Sequence, residues 1–211
     1  MAVIKSGAST DQLVIDVLSK AARTTLYDSA GRELSLQGKQ TFAISSAFTP
    51  AATPTDLVII EGSATKTVRV LSCVIGTTNT AAGSQEFFLI KRSAADTTGA
   101  FVSAGTPVPL DSNNAVSSVN RVGHFTANPG ALGAAVGTIN RTRVASPVLV
   151  PGSFAGVVDI AEFELIPWFG NSLLDQPITL RGVAQTLAVN FNGAALVAGQ
   201  VHTYRLVWIE E

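Results

Sequence analysis

Lys66-Thr67-Val68-Arg69-Val70-Leu71-Ser72-Cys73-Val74-Ile75 is the stretch on which the fold turns. β-Branched side chains dominate it, and these fit a pleated, half-buried surface better than a helix. Strict alternation puts Val68, Val70 and Val74 on one face and Leu71, Cys73 and Ile75 on the other, beside Arg69. The same reading extends along the chain. Gln85 to Arg92 holds Phe87-Phe88-Leu89-Ile90, a short continuous apolar run that predicts a buried strand. Val157 to Trp168 alternates, with Val158, Ile160, Glu162 and Glu164 on one side and Val157, Asp159, Phe163 and Leu165 on the other. Gln185 to Asn192 aligns Leu187, Val189 and Phe191. Val201 to Glu210 aligns Tyr204, Leu206 and Trp208.

Punctuation supports strands. Asn79-Thr80-Ala81-Ala82-Gly83 reads as a hairpin loop between two strong strands, and Asn192-Gly193 as a tight turn. Asp111-Ser112-Asn113-Asn114 and Asn128-Pro129-Gly130 read as turns, and segments 93–117 and 128–137 as long loops. The prediction is an all-β chain, an antiparallel β-sandwich over residues 47–211. The preceding residues 1–46 form an N-terminal arm, and Ala47 to Thr55, with Pro50 and Pro54, is the linker. Leu13-Val14-Ile15-Asp16-Val17-Leu18 suits either a helix capped at Ser9, Thr10 or Asp11, or an extended arm pairing with a neighbour. Thr24 to Leu34 reads as strand, turn, strand. The arm holds too few bulky residues for a core of its own.

Composition narrows the function. Of 211 residues, 46% are hydrophobic and only 14% charged, against about 25% charged in an ordinary soluble domain. Low charge favours a protein that is partly covered by others. The net charge is -1, with no basic stripe for nucleic acid. Met1 to Ile4 meets Lys5 before an apolar core builds, so no secretory leader is expected. Gly182 to Tyr204 lacks any charge but carries Gln185, Asn190, Asn192, Gln200 and His202, so two strands fit better than a membrane span.

Candidate chemistry is sparse. His124 and His202 lack metal-ligand spacing. Cys73, the single cysteine, lies mid-strand and not at a helix start that would activate a thiolate. No Gly-x-Ser-x-Gly elbow occurs, and Gly62-Ser63-Ala64-Thr65-Lys66-Thr67 lacks the second glycine and the helix of a phosphate loop, so it reads as a turn between strands. Gly130 to Gly137 reads as a flexible surface loop. Glu162 and Glu164, i and i+2 on one face, form a paired-carboxylate or calcium candidate together with Asp159 and Asp175; a solvated strand face is the plainer alternative. Trp168, Phe169, Tyr204 and Trp208 form a candidate sugar platform, against core packing. None is assigned a catalytic, cofactor or metal role, and the chain is not expected to be an enzyme.

A resemblance adds a context. Ser9 to Asp16 followed by Ser19 to Arg32 resembles the opening of many tailed-bacteriophage virion proteins, where an extended arm precedes a β domain. Val68 to Ser72, Leu89 to Ser93, Pro109 to Asn113, Phe125 to Pro129, and Pro177 to Gly182 through Trp208 to Glu211 resemble the sandwich domains that accompany such arms. Related arms often carry a proline where this one has Val17. The resemblance implies a jelly-roll-like sandwich in a bacteriophage structural protein, a cement or decoration protein at the capsid surface of the virion. Its partners would be the major capsid protein and its own copies in a homotrimer. A tail, baseplate or fibre-base subunit is the alternative, and a carbohydrate-binding sandwich a more distant one.

Overall fold

The computed structural model describes residues 3–5, 12–15, 22–23, 39–78, 83–146, 162–166 and 176–211. Every regular element among them is a strand. The chain divides into two units, Met1–Lys39 with Gly170–Asp175, and Gln40–Phe169 with Gln176–Glu211. In the first, β1 (Val3–Lys5), β2 (Gln12–Ile15) and β3 (Ala22–Arg23) form an antiparallel three-stranded sheet in that order. Leu13, Val14 and Ile15 are therefore strand, not helix, and they pair with strands of their own chain. The Thr24–Leu34 expectation lies outside the described residues.

The second unit is the sandwich. Its strands are β4 (Gln40–Phe48), β5 (Asp56–Glu61), β6 (Thr67–Thr78), β7 (Gly83–Arg92), β8 (Phe101–Ser103), β9 (Val108–Pro109), β10 (Val122–Phe125), β11 (Ala135–Ser146), β12 (Glu162–Ile166), β13 (Ile178–Arg181), β14 (Thr186–Asn190) and β15 (Val201–Glu210). One sheet has the order β11-β7-β14-β5-β10-β8 and the other β12-β6-β15-β4-β9, with β13 beside β12 on the same edge of β6. All of these pairings are antiparallel. With the short strands β8, β9 and β10 set aside, the chain crosses between sheets at β4–β5, β5–β6, β6–β7, β11–β12, β13–β14 and β14–β15, while β7 and β11 are neighbours. That order is a jelly roll. The short strands β8, β9 and β10 are an excursion between β7 and β11.

β15 is the spine of its sheet, paired with β4 on one side and β6 on the other along its length. Period-two alternation sends Tyr204, Leu206 and Trp208 inward, as expected, where they meet Phe42, Ile44 and Phe48 of β4 and Leu187, Val189 and Phe191 of β14. Trp208 stacks on Phe42 with ring centroids 5.9 Å apart.

Four expectations need correction. The sandwich begins at Gln40, ahead of the expected boundary near 47, because β4 pairs with β15 from its first residue. β6 does not hold one alternation throughout. Opposite Val207 and Trp208 its register slips, leaving Leu71 as an extra residue, so Val68 and Val70 share the inner face with Cys73 and Ile75. The chain between β6 and β7 is a crossover between sheets and not a hairpin. Segments 93–117 and 128–137 are not wholly loop, since they hold β8 and β9 and the start of β11. The Asn192-Gly193 turn does form, with both residues at positive φ (55° and 69°). It lies in the crossover from β14 to β15.

The β4 boundary is testable by truncation. Residues 40–211 are expected to melt cooperatively. A chain starting at residue 46 loses the Phe42 and Ile44 packing, and loss of Phe42 alone costs about 3–5 kcal/mol. Calorimetry on the two truncations checks this, with no cooperative transition expected for the shorter.

Candidate functional site

Cys73 sits wholly inside the core, and burial pushes its thiol up to about 12. It is a small apolar side chain, not a nucleophile. His124 on β10 stacks on Phe48, centroids 4.3 Å apart, and its Nδ1 lies 3.2 Å from the Tyr204 hydroxyl across the sandwich. Burial holds its pKa below the ordinary value. His202 on β15 is caged by Phe48, Phe87 and Phe191 at 5.8, 5.7 and 5.4 Å. Neither of its ring nitrogens has a partner at hydrogen-bond geometry. Burial lowers its pKa to about 4, and the Gly76 backbone offsets only a little of that. Among the described residues no group of three His, Cys, Asp or Glu side chains is placed to hold a metal ion.

The strongest polar constellation was not foreseen. Arg92, the last residue of β7, and Asp56, the first of β5, are both buried. Their side chains form a fork, Nε donating to Oδ2 at 2.7 Å and Nη2 to Oδ1 at 2.8 Å. Asn190 Nδ2 on β14 donates to the same Oδ1 at 2.5 Å, and Arg92 Nη1 donates to the Gly133 carbonyl at 2.7 Å. Burial works against the Arg92 charge, but the hydrogen bond and charge of Asp56 outweigh it and raise the pKa. Asp96 completes the group, its Oδ1 accepting from Gly133 N–H at 2.8 Å. Gly133 thus belongs to a buried clasp and not to a flexible loop. A Cβ there would fall 1.8 Å from the Ala94 carbonyl oxygen, so no larger residue fits.

Two further carboxylates anchor the excursion. Glu61 accepts from Arg121 and from Asn120 Nδ2, whose contact is 2.5 Å. Glu210 accepts from Ser117 Oγ, from the N–H and hydroxyl of Ser118, and from Trp208 Nε1 at 3.1 Å. Burial alone would raise the Glu210 pKa; these donors outweigh it and hold it low. Lys66 lies 3.6 Å from Glu210 and bonds Gln40 Oε1. The turn that superficially suggested a phosphate loop is closed by Ser63 Oγ, which accepts from Thr65 N and Lys66 N.

The remaining candidates do not assemble. Glu162 and Glu164 lie on β12, opposite Gly76 and Val74 of β6, while Asp159 and Asp175 lie outside the described residues. Of the sugar platform, Tyr204 and Trp208 are buried in the core, so they cannot present a face to a sugar; Trp168 and Phe169 lie outside the described residues. A shallow groove of about 340 Å³ runs over β4, β15 and β6, lined by Ser45, Ala47, Val74, Gly76, Thr203 and Arg205 among others. What the surface does present is apolar. Val108, Leu110 and Val116 are 61%, 62% and 76% exposed, and Val136 and Ile139 on β11 are also exposed. Comparison with protein-family models, curated proteins and solved structures finds no match for this chain.

Two outcomes follow for the interior. His202 has a folded pKa below its unfolded value, so its contribution is present above about pH 6.5 and lost as pH falls toward about 4. The loss approaches roughly 3 kcal/mol, and His202→Phe is expected to remove it in denaturant titrations at acid pH. Arg92→Leu strands Asp56 as an unpaired buried charge and is expected to cost about 3–5 kcal/mol at neutral pH.

Proposed function

We propose that this chain is a non-enzymatic structural protein of a tailed-bacteriophage particle, a decoration protein that cements the shell by bridging major capsid subunits. The observation that carries the interaction role is the apolar display on the excursion. Val108 and Pro109 form β9 on the edge of β4, and Leu110 N–H donates to the Thr41 carbonyl at 2.8 Å. Ser117 and Ser118 are tied to Glu210. Val108, Leu110 and Val116 are therefore held out on a fastened segment, and grouped exposed apolar residues of this kind mark contact surfaces. The phage context comes from the resemblance in sequence, and the low charge of the chain fits a protein partly covered by neighbours.

The physical action is added buried area. Standard contacts of about 1,600 Å² repeated over a shell raise the barrier to its rupture. A homotrimer is the assembly proposed, since a closed ring matches local three-fold sites on a shell. A tail or baseplate subunit would use the same surface at a different copy number.

Quantitative mass spectrometry of purified particles separates these. A decoration protein is present in hundreds of copies, as the facets of a shell demand, and a baseplate subunit in few. Leu110→Asp is expected to weaken shell binding about tenfold or more while leaving the melting temperature unchanged. Light scattering that returns the 21.8 kDa chain mass at high concentration would remove the trimer.

A further inference from the structure

We propose that Asp56 and Asp96 form a buried proton-binding site, one proton held between the two carboxyl groups, and that this proton ties residues 93–97 to the start of β5. Charge counting comes first. The site encloses two carboxyl groups and the single guanidinium of Arg92, all nearly inaccessible to solvent. Arg92 commits its fork to Asp56 and lies 3.7 Å from Asp96. If both acids were ionised, one negative charge would remain buried without a counter-charge, which is strongly unfavourable.

Hydrogen-bond counting gives the same answer and locates the proton. Asp56 Oδ1 accepts from Arg92 and Asn190, and Oδ2 from Arg92. Asp96 Oδ1 accepts from Gly133 N–H. Among the described residues no donor faces the buried Asp96 Oδ2. An ionised oxygen there would be an orphan acceptor; a protonated one is a donor, and Asp56, which shares Arg92 Nε with Asp96 at 2.7 Å and 3.7 Å, is the neighbouring carboxyl group. The arrangement is the shared-proton logic of like carboxyl groups in one site.

The surroundings do not supply a second cation. Arg121 reaches the backbone carbonyl of Asp96 at 2.9 Å, but its side chain is paired with Glu61 of β5. From β7 comes Arg92, from β5 Asp56, from β14 the neutral Asn190, and from the 131–134 segment the Gly133 backbone. Burial first, and then the hydrogen bond with Asp56, raise the Asp96 pKa to about 7. The folded value lies above the unfolded one, so the stabilisation is complete below about pH 4 and is lost as pH rises through about 7. The Gly133 N–H bond itself favours the ionised form, and beside it Thr97 N–H donates to Ala131 O and Ser93 N–H to Ala134 O. This sensitivity is opposite in sign to that of His202.

Infrared spectroscopy of the full chain tests it. A protonated carboxylic-acid carbonyl band is expected at mildly acid pH, where exposed carboxylates are ionised, fading with a midpoint of about 7. Asp96→Asn should lack that band. As a neutral amide it should melt higher than the parent at about pH 9 and lose that advantage at about pH 5. Absence of the acid band from the parent overturns the proposal, even if the variant does not fold. A folded variant whose melting difference from the parent is the same at both pH values overturns it as well.

Discussion

A guanidinium buried at the end of a strand constrains everything around it. Arg92 is not tolerable in the interior unless its donors are met, and the groups that meet them come from separate parts of the chain. Asp56 opens β5 and Gly133 precedes β11, while Asn190, which closes β14, donates in turn to Asp56. β7, β14 and β5 are consecutive neighbours in one sheet. A slip of one residue in any of them would turn its interior side chains outward and also break the fork. Apolar packing makes the sandwich stable, but it tolerates exchange among similar shapes. The fork accepts one register.

That distinction explains what was legible in the sequence. Leu187, Val189 and Phe191, like Tyr204, Leu206 and Trp208, could be placed on one inner face because alternation is local and neither run is interrupted. β6 could not be read the same way, because the bulge at Leu71 changes the parity midway, and nothing in the run of β-branched residues announces it. The β6–β7 crossover was hidden for a different reason. Sheet membership is decided by which strands pair far along the chain, and β6 needs β15 while β7 needs β14. The polar clasp left almost no trace. Asp56 follows Pro54-Thr55 in what reads as a linker, and Asp96 follows two alanines in what reads as a loop. Only the i, i+4 spacing of Arg92 and Asp96 hints at a pair, and that spacing carries weight on a helix, not at a strand end.

The histidines show how residue type misleads when burial is unknown. Their titration near neutral pH makes them natural suspects for chemistry. Here His124 and His202 lie on opposite sheets and both contact Phe48, so they serve as aromatic packing in a place that disfavours their charged forms. The Tyr204 hydroxyl gives His124 a polar partner, while His202 has the Gly76 backbone near it but no described partner at hydrogen-bond geometry. Such a cost is bearable because a neutral imidazole is far cheaper to bury than a charged one.

Charge placement ties the interior to the outside. The chain has few charged residues, and Asp56, Glu61, Arg92, Asp96 and Glu210 are spent inside. Glu61 and Glu210 fasten the excursion through Arg121, Asn120, Ser117 and Ser118, and the same excursion carries the exposed Val108, Leu110 and Val116. Ordering that segment in advance removes part of the entropy that association would otherwise cost. A surface with little charge gains little from electrostatic steering, so its affinity rests on shape and apolar area. In the proposed role, buried carboxylates and displayed valines form one device, the first holding still what the second would offer to a partner.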